Sequence, residues 1–337
     1  MPLAPPRDGV AGAAGASGRG GASAAEGEGE GDAILQHSIV IEEMDTYLFR
    51  AKKEGLYRPV QARGIFGGQT VCQSLRAAMM SVPAELRVHS MHGYFILNGS
   101  HEHDLLFHVR PLRDGRSFAT RSVEARQRDE AIFMAAVQFQ RPEVSTGPEV
   151  EAPMPAVPGP DGLKSSHELL LELSMDPSVP EKRREYYRVV SEQPVRVENR
   201  EVPLAEDSAR SPEPTSYQWR RVVGRLPSEP QVHVASLAYM SDMGMALPAY
   251  APYGGIRGNE PSMMASLDHS MWFHSQEFRA DDWLLFESRC TWAGVSRILT
   301  HAKVWTREGR HVFSCSQELI TRHSWKLSSR PSPASSL

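Results

Sequence analysis

Asp242 is the residue whose setting most clearly predicts chemistry in this chain of 337 residues. It lies within the apolar-rich run 239–246. A carboxylate buried among apolar side chains is costly unless it is paired, protonated or functional. Burial would also raise its pKa toward the range that suits a general base. The alternatives are an Asp on a solvated helix face and an Asp that caps a neighbouring loop.

Side chains that would attack an electrophile directly have little support in the sequence. No Gly-x-Ser-x-Gly segment provides the strand-to-helix elbow of an α/β-hydrolase serine. Cys72, Cys290 and Cys315 have no evident His partner and no metal-ligand spacing. Buried free thiols in a reducing compartment explain them. Activated water is the mechanism that remains, and we predict neither a metal nor a redox cofactor.

An internal repeat predicts the elements that position these residues. The segment 105–107, Leu-Leu-Phe, matches 284–286 at a shift of 284 − 105 = 179. The same gapless shift pairs Arg110 with Arg289, Gly115 with Gly294, Ser117 with Ser296, Arg128 with Arg307, Asp129 with Glu308 and Gln138 with Gln317. Each copy reads as three strands, at 105–111, 117–127 and 131–140 and again at 283–291, 297–306 and 311–320.

One helical stretch precedes each set of strands. The first runs from Gly67 to Pro83 with apolar residues at spacings of three and four, and the second runs from Val232 to about Leu247 and is apolar nearly all round. A buried helix followed by a meander of long strands, present twice, predicts an α+β double hot-dog fold. In that fold, each of two tandem domains wraps a long antiparallel sheet around a central helix.

The composition divides the chain into five parts. We predict a disordered tail at 1–33, an N-terminal hot-dog domain at 34–142, a linker with an amphipathic helix at 143–191, a C-terminal hot-dog domain at 192–325 and a flexible tail at 326–337. The first tail is rich in Gly, Ala and Ser and ends in an acidic Glu-Gly repeat. Such a segment buries too little apolar area to offset its ordering entropy.

The overall charge and hydropathy exclude two classes of partner. A net charge of −4 argues against nucleic acid, because binding to a phosphate backbone needs a basic excess. No run approaches the roughly 18 consecutive apolar residues that a membrane span requires. A small anionic ligand and a homo-oligomer both remain open.

Six segments resemble the type II acyl-CoA thioesterases, a double hot-dog family that includes peroxisomal members. They are 66–69, 89–95 and 112–118 in the first half, and 241–242, 266–274 and 316–318 in the second. The resemblance covers roughly residues 40–325. It implies a fatty acyl-CoA substrate, hydrolysis of its thioester bond, and no cofactor.

The resemblance also implies roles for particular side chains. Asp242 matches the family's catalytic Asp, Gln317 matches the glutamine that holds the attacking water, and Ser266 matches a hydroxyl that hydrogen-bonds the water or Asp242. His89 matches a His associated with activity. The structural alternatives are a solvent-facing Gln, a Ser at a strand end, and a core His bonded to backbone.

Six further residues are candidates for substrate binding. Gly67, Gly68 and Gln69 open the first helix, where backbone N–H groups can receive a carbonyl or a phosphate. Arg113, Arg116 and Arg297 are candidate contacts for the phosphates of coenzyme A. Ordinary helix entry and ordinary surface charge are the alternatives.

Departures from the family pattern leave two other functions open. Leu319 stands where the family has glycine, while Met243 and Val295 also differ from its usual residues. The alternatives are a non-catalytic acyl-CoA binding protein and a hot-dog enoyl-CoA hydratase. The terminal 335–337, Ser-Ser-Leu, is similar to the peroxisomal address Ser-Lys-Leu, so we predict a peroxisomal location with the cytoplasm as the alternative.

Overall fold

The computed structural model describes residues 33–203, 211–257 and 259–324. The tails predicted at 1–33 and 326–337 lie outside the described residues, except for Ala33. That residue is buried and donates its N–H to the carbonyl oxygen of Arg225 (3.3 Å). The packed part of the chain therefore begins no later than Ala33, and the other domain boundaries stay predictions.

Two groups of elements, joined by a helical linker, build the described part of the chain. The first group is α1 (Ile34–Ile39), β1 (Glu42–Asp45), β2 (Leu48–Ala51), α2 (Gly67–Met80), β3 (Arg87–Phe95), β4 (Leu105–Asp114), β5 (Phe118–Gln127) and β6 (Glu130–Gln140). The linker holds α3 (Ser166–Met175) and α4 (Glu181–Ser191). The second group is β7 (Val197–Glu201), β8 (Thr215–Val222), α5 (Pro230–Ser241), α6 (Leu247–Tyr250), β9 (Met263–Ser266), β10 (Asp268–Phe273), β11 (Leu284–Gly294), β12 (Arg297–Thr306) and β13 (His311–Arg322).

The strands form one continuous sheet. Its order is β1-β2-β4-β5-β6-β3-β10-β13-β12-β11-β8-β7, with β9 paired to β13. The antiparallel pair β3–β10 joins the two halves. Buried residues alternate along β5 and β6, as expected for strands with one face on the core, and α2 and α5 are buried together. The predicted double hot-dog fold is confirmed.

The linker differs from its prediction, because the expected single helix is two helices. Asp176 ends α3, and its carboxylate accepts the N–H of Ser178 (2.8 Å). Pro180 then precedes α4. A proline lacks the backbone N–H and disfavours helical geometry in the residue before it, so α3 cannot run on into α4.

The first hairpin of each copy confirms the repeat. The pairing of β4 with β5 shifts register between Pro111 and Arg113, and that of β11 with β12 shifts between Cys290 and Trp292. These positions are 290 − 111 = 179 and 292 − 113 = 179 residues apart. The two copies therefore share the bulge as well as the sequence shift, as duplicated elements should.

The pairing of Gln138 with Gln317 is wrong by one residue. Gln138 lies opposite Thr120, whereas Gln317 lies opposite Thr300 rather than Leu299, the residue 179 positions after Thr120. The cause is the turn before the last strand. Two residues separate the paired Gln127 and Glu130. Three residues, ending in Gly309 with φ +94°, separate Thr306 from Arg310, whose carbonyl oxygen accepts the Thr306 N–H (2.9 Å). The extra residue turns Gln317 inward and leaves Gln138 exposed.

Candidate active site

Asp242 lies at the end of the second central helix rather than inside it. The helix predicted as far as Leu247 ends at Ser241, and Asp242 is its C-terminal cap. Gly244 then adopts φ +67°, a left-handed conformation that ends helices, before α6 begins at Leu247. Asp242 is partly accessible and lies in the short turn between α5 and α6.

Three side chains converge at this point. Ser266, the last residue of β9, donates its hydroxyl to Asp242 Oδ1 (3.0 Å). Gln317 of β13 donates Nε2 to the same oxygen and to Ser266 Oγ (2.9 Å). The pairing of β9 with β13 places Ser266 opposite Leu319, beside Gln317. The structure thus brings together the three residues that the resemblance suggests for catalysis.

The first half of the chain supplies the other wall of the site. The backbone N–H of Gly68, at the start of α2, donates to the Asp242 carboxylate. A Cβ on Gly67 would lie 2.8 Å from Asp242 Oδ2 and 3.1 Å from the Phe95 ring. A Cβ on Gly68 would lie 2.4 Å from the carbonyl oxygen of Tyr239. Glycine at both positions therefore permits the start of α2 to meet the end of α5.

Gln317 also carries a polar atom without a protein partner. The side chain is fully buried, and its Oε1 accepts no hydrogen bond from any residue that the structure describes. A buried carbonyl oxygen left unsatisfied is costly, and an ordered water is the usual remedy. Gln317 is thus suited to accept a hydrogen bond from a water beside Asp242.

The electrostatics of Asp242 combine opposed effects. Burial raises the pKa of its carboxyl above the ordinary value, while hydrogen bonds from Gln317, Ser266 and the Gly68 N–H act to lower it. The net direction is upward. A carboxylate with a raised pKa is a stronger base than an exposed one, and it stays ionised only above that raised value.

The first predicted consequence is a displaced acid limb in the pH profile. The basic form of Asp242 is lost as the pH falls through its raised pKa, so kcat/KM should begin to fall at a higher pH than an ordinary Asp would give. Ser266→Ala removes a hydrogen bond that lowers this pKa and should move the limb further upward. Profiles of kcat/KM for both proteins check this, and a downward move in Ser266→Ala would contradict it.

The first half has no carboxylate in the corresponding place. Ser81 caps the C-terminus of α2 as Asp242 caps that of α5. A serine hydroxyl cannot act as a base near neutral pH without a partner that takes its proton. Its Oγ donates to the carbonyl oxygen of Ala78 (2.7 Å) and accepts from Arg121 (3.1 Å). The duplication therefore leaves one such constellation among the described residues.

His89 is not brought to Asp242. The end of β3 at Phe95 lies by Gly67 and hence by Asp242, but His89 is six residues earlier on the strand, about 20 Å away in an extended chain. Its ring lies edge-on to Phe118, and burial, aided by His92, lowers its pKa. His89 therefore lies too far away to exchange a proton with Asp242.

Gln69 has a different role from the one expected. Its Nε2 donates to the carbonyl oxygens of Ser38 and Gly55 (2.9 and 2.7 Å), and its Oε1 accepts the N–H of Tyr57 (2.7 Å). The side chain is fully buried. These bonds occupy both hydrogens of the side-chain amide, so the side chain fixes the segment before α2. The backbone N–H of Gln69, the donor predicted for a ligand, donates to the Phe66 carbonyl oxygen (3.1 Å).

The three candidate arginines lie on hairpin turns of the two copies. Arg113 and Arg116 are exposed around the β4–β5 turn, and Arg297 begins β12. Arg297 already pairs with Glu318 (2.9 Å) and lies over the Trp292 ring. Contact of these residues with coenzyme A phosphates stays a prediction.

Two buried polar residues next to the site were not assigned a catalytic role from the sequence. Ser241 Oγ lies 2.8 Å from His269 Nε2, and burial lowers the pKa of that His to about 3. Both side chains are buried, so this pair is sealed from substrate. Asp268 accepts the N–H of Glu318 (2.8 Å) and so holds the strand that carries Gln317.

Comparison with known proteins identifies the family. A family model described as the acyl-CoA thioesterase N-terminal domain matches residues 57–140, and its C-terminal counterpart matches 167–321. The chain belongs to the acyl-CoA thioesterase family. It is an acyl-CoA hydrolase. The chain is 35% identical over 292 residues to "Acyl-coenzyme A thioesterase 8" of Mus musculus, covering 86% of this chain and 89% of that protein.

A bacterial relative and a solved structure agree with this assignment. "Acyl-CoA thioesterase 2" of Haemophilus influenzae is 29% identical over 86% of this chain and 97% of its own. The crystal structure of the acyl-CoA thioesterase II TesB2 from Mycobacterium marinum superposes with a TM-score of 0.66 and 31% identity, over 87% of this chain and 99% of that one. Within the described residues of this thioesterase, the helices are too short or too polar to cross a membrane.

Proposed function

We propose that this thioesterase hydrolyses fatty acyl-CoA by direct attack of a water molecule, with Asp242 as general base. The observation that carries the proposal is the convergence of Ser266 and Gln317 on one oxygen of Asp242, beside the unpartnered Gln317 Oε1. Two acceptors, Asp242 and Gln317 Oε1, can each accept one hydrogen bond from the same water. Its oxygen is then directed away from both and toward the substrate.

The proposed reaction balances without a cofactor. Asp242 takes one proton from water as the water oxygen forms a bond to the thioester carbonyl carbon. The tetrahedral intermediate collapses with cleavage of the carbon–sulfur bond, and the electron pair leaves on the sulfur of coenzyme A. Protonated Asp242 returns its proton to that thiolate. The products are the free fatty acid and coenzyme A.

The start of α2 is the proposed site for the substrate carbonyl. The first N–H groups of a helix lack intrahelical acceptors, and its N-terminus carries partial positive charge. Gly67 and Gly68 place that end beside Asp242 without side chains in the way. The Gly68 N–H already donates to Asp242 and the Gln69 N–H to the Phe66 carbonyl oxygen (3.1 Å). An oxyanion formed at this end would therefore be stabilised by the Gly67 N–H and by the helix dipole.

Gly67→Ala tests this close approach. The new Cβ would lie 2.8 Å from Asp242 Oδ2, so either the carboxylate or the start of α2 must move. We expect kcat to fall by about 10²-fold, the loss that a ~1 Å misplacement can cause, while the protein stays folded. Thiol release and circular dichroism measure the two effects. A variant with unchanged kcat would show that the contact does not constrain catalysis.

Two alternatives are distinguished by the products. An enoyl-CoA hydratase would add water to a carbon–carbon double bond and leave the thioester intact, whereas a binding protein would release no thiol. We propose fatty acyl-CoA as the substrate, and thiol release measured across a ladder of acyl-chain lengths tests it. Addition of water to an enoyl-CoA without thiol release would overturn the proposal. The oligomeric state stays a prediction. The peroxisomal location also stays a prediction, because residues 335–337 lie outside the described residues.

A further inference from the structure

Two almost completely buried arginines hold the ends of the two central helices. Arg121 of β5 is 2% exposed and donates to the Ser81 carbonyl oxygen (3.1 Å) at the end of α2. Arg220 of β8 is 1% exposed and donates to the Met240 carbonyl oxygen (3.0 Å) in the last turn of α5. A cation at a helix C-terminus is favourable because it meets the free carbonyls and the negative end of the dipole.

The two arginines differ in how their charge is balanced. Arg121 forms an ion pair with Asp114 (2.6 Å). Among the described residues, no carboxylate lies within ion-pair distance of Arg220, whose remaining donors go to the amide oxygens of Asn199 (3.1 Å) and Gln218. Burial lowers the pKa of Arg220 to about 10, so it is still charged at neutral pH. An unpaired buried charge is costly, so a role in this position is expected.

The guanidinium of Arg220 contacts both sides of the Asp242 turn. Met240, whose carbonyl it binds, is two residues before Asp242, and Gly244 is two residues after it. A Cβ on Gly244 would lie 2.8 Å from Arg220 Nη2. The planar cation also lies 4.3 Å from the centre of the Phe286 ring. Arg220 is therefore fixed by several contacts and in turn fixes the backbone on both sides of Asp242.

We propose that Arg220 is a positioning residue for catalysis, which holds the Asp242 turn so that its carboxylate meets the water and the start of α2. This inference rests on the proposed role of Asp242. Displacement of a catalytic group by ~1 Å can lower a rate by about 10²-fold, whereas substrate binding elsewhere is unaffected. Arg121 is the matched control, because it is similarly buried and holds the C-terminal end of α2 as Arg220 holds that of α5, but no catalytic residue lies beside it.

The experiment compares Arg220→Lys with Arg121→Lys in the full chain. Lysine keeps the positive charge, but its ammonium group lacks the planar fork with which the guanidinium donates to Met240, Asn199 and Gln218 at once. Arg220→Lys should lower kcat by about 10–10²-fold with KM changed by less than about two-fold, since the contact matters mainly in the transition state. Arg121→Lys should lower the melting temperature and leave kcat within about two-fold. In an Asp242→Asn background, Arg220→Lys should cause little further loss.

Several outcomes would overturn the inference. One is an equal fall in kcat for Arg220→Lys and Arg121→Lys. Another is a fall in kcat from Arg220→Lys that is as large in the Asp242→Asn background as in the unmodified protein. If Arg220→Lys does not fold, Gln218→Met keeps the arginine and removes one of its acceptors. It should lower kcat by about 3–10-fold, in line with a partial displacement, and an unchanged kcat would overturn the inference. A fully active Asp242→Asn enzyme would instead refute the proposed function itself.

Discussion

Asp242→Asn should abolish most of the thioesterase activity while leaving the protein folded. Asparagine has the same shape and still accepts the hydrogen bonds of Ser266 and Gln317 at Oδ1. It cannot take a proton from water, so kcat should fall by the ~10²–10⁴-fold that general base catalysis contributes. Thiol release from a well-hydrolysed acyl-CoA measures this loss.

The stability of the same variant provides its control. Because burial raises the folded-state pKa of Asp242, the ionised carboxylate is unfavourable in the folded protein above that pKa. Asparagine removes this cost, so the melting temperature at neutral pH should be unchanged or higher. A lower melting temperature would indicate that activity is lost because the variant is less stable. Full activity of Asp242→Asn would mean that the general base is a different residue.

The second large effect is expected from Gln317→Leu. Leucine is similar in size and is tolerated by a buried site, but it removes the amide that bonds Asp242, Ser266 and the proposed water. We expect kcat to fall by about 10²-fold, because misplacement of the attacking water is felt mainly in the transition state. Turnover at saturating acyl-CoA measures the effect.

Gln138→Leu is the matched control for this variant. Gln138 aligns with Gln317 in the gapless repeat but lies on the exposed face of β6, opposite Thr120. Its replacement should leave kcat and the melting temperature nearly unchanged, as for most surface substitutions. An equal loss of kcat from the two substitutions would mean that the active site has been assigned to the wrong half of the chain.

Much of the fold was predictable because the repeat constrains it twice. The bulge shared by Pro111–Arg113 and Cys290–Trp292 shows that local sequence and register were duplicated together. One additional residue in the turn ending at Gly309 was enough to invalidate the equivalence of Gln138 and Gln317. Side chains alternate between faces, so a shift of one residue exchanges inside and outside.

The residues around Asp242 illustrate what the sequence alone could not provide. The apolar run marked Asp242, but its contact with Gly67 joins residues that are 242 − 67 = 175 positions apart in the chain. The sequence does not distinguish Arg220 from other arginines, because most arginines are exposed and only the packed structure shows that this one is buried. The motif around His89 does not indicate which end of β3 lies near Asp242, and the structure places Phe95 rather than His89 at that end.

The central claim is that Asp242 and Gln317 act on one water molecule, and a double-mutant cycle tests it most directly. Thiol release is measured for Asp242→Asn, Gln317→Leu and the double variant. If the two side chains share one water, the double variant should be only slightly slower than Asp242→Asn, because the water is no longer activated once the base is gone. Losses that multiply across the cycle would show that the two residues act independently and would contradict the account.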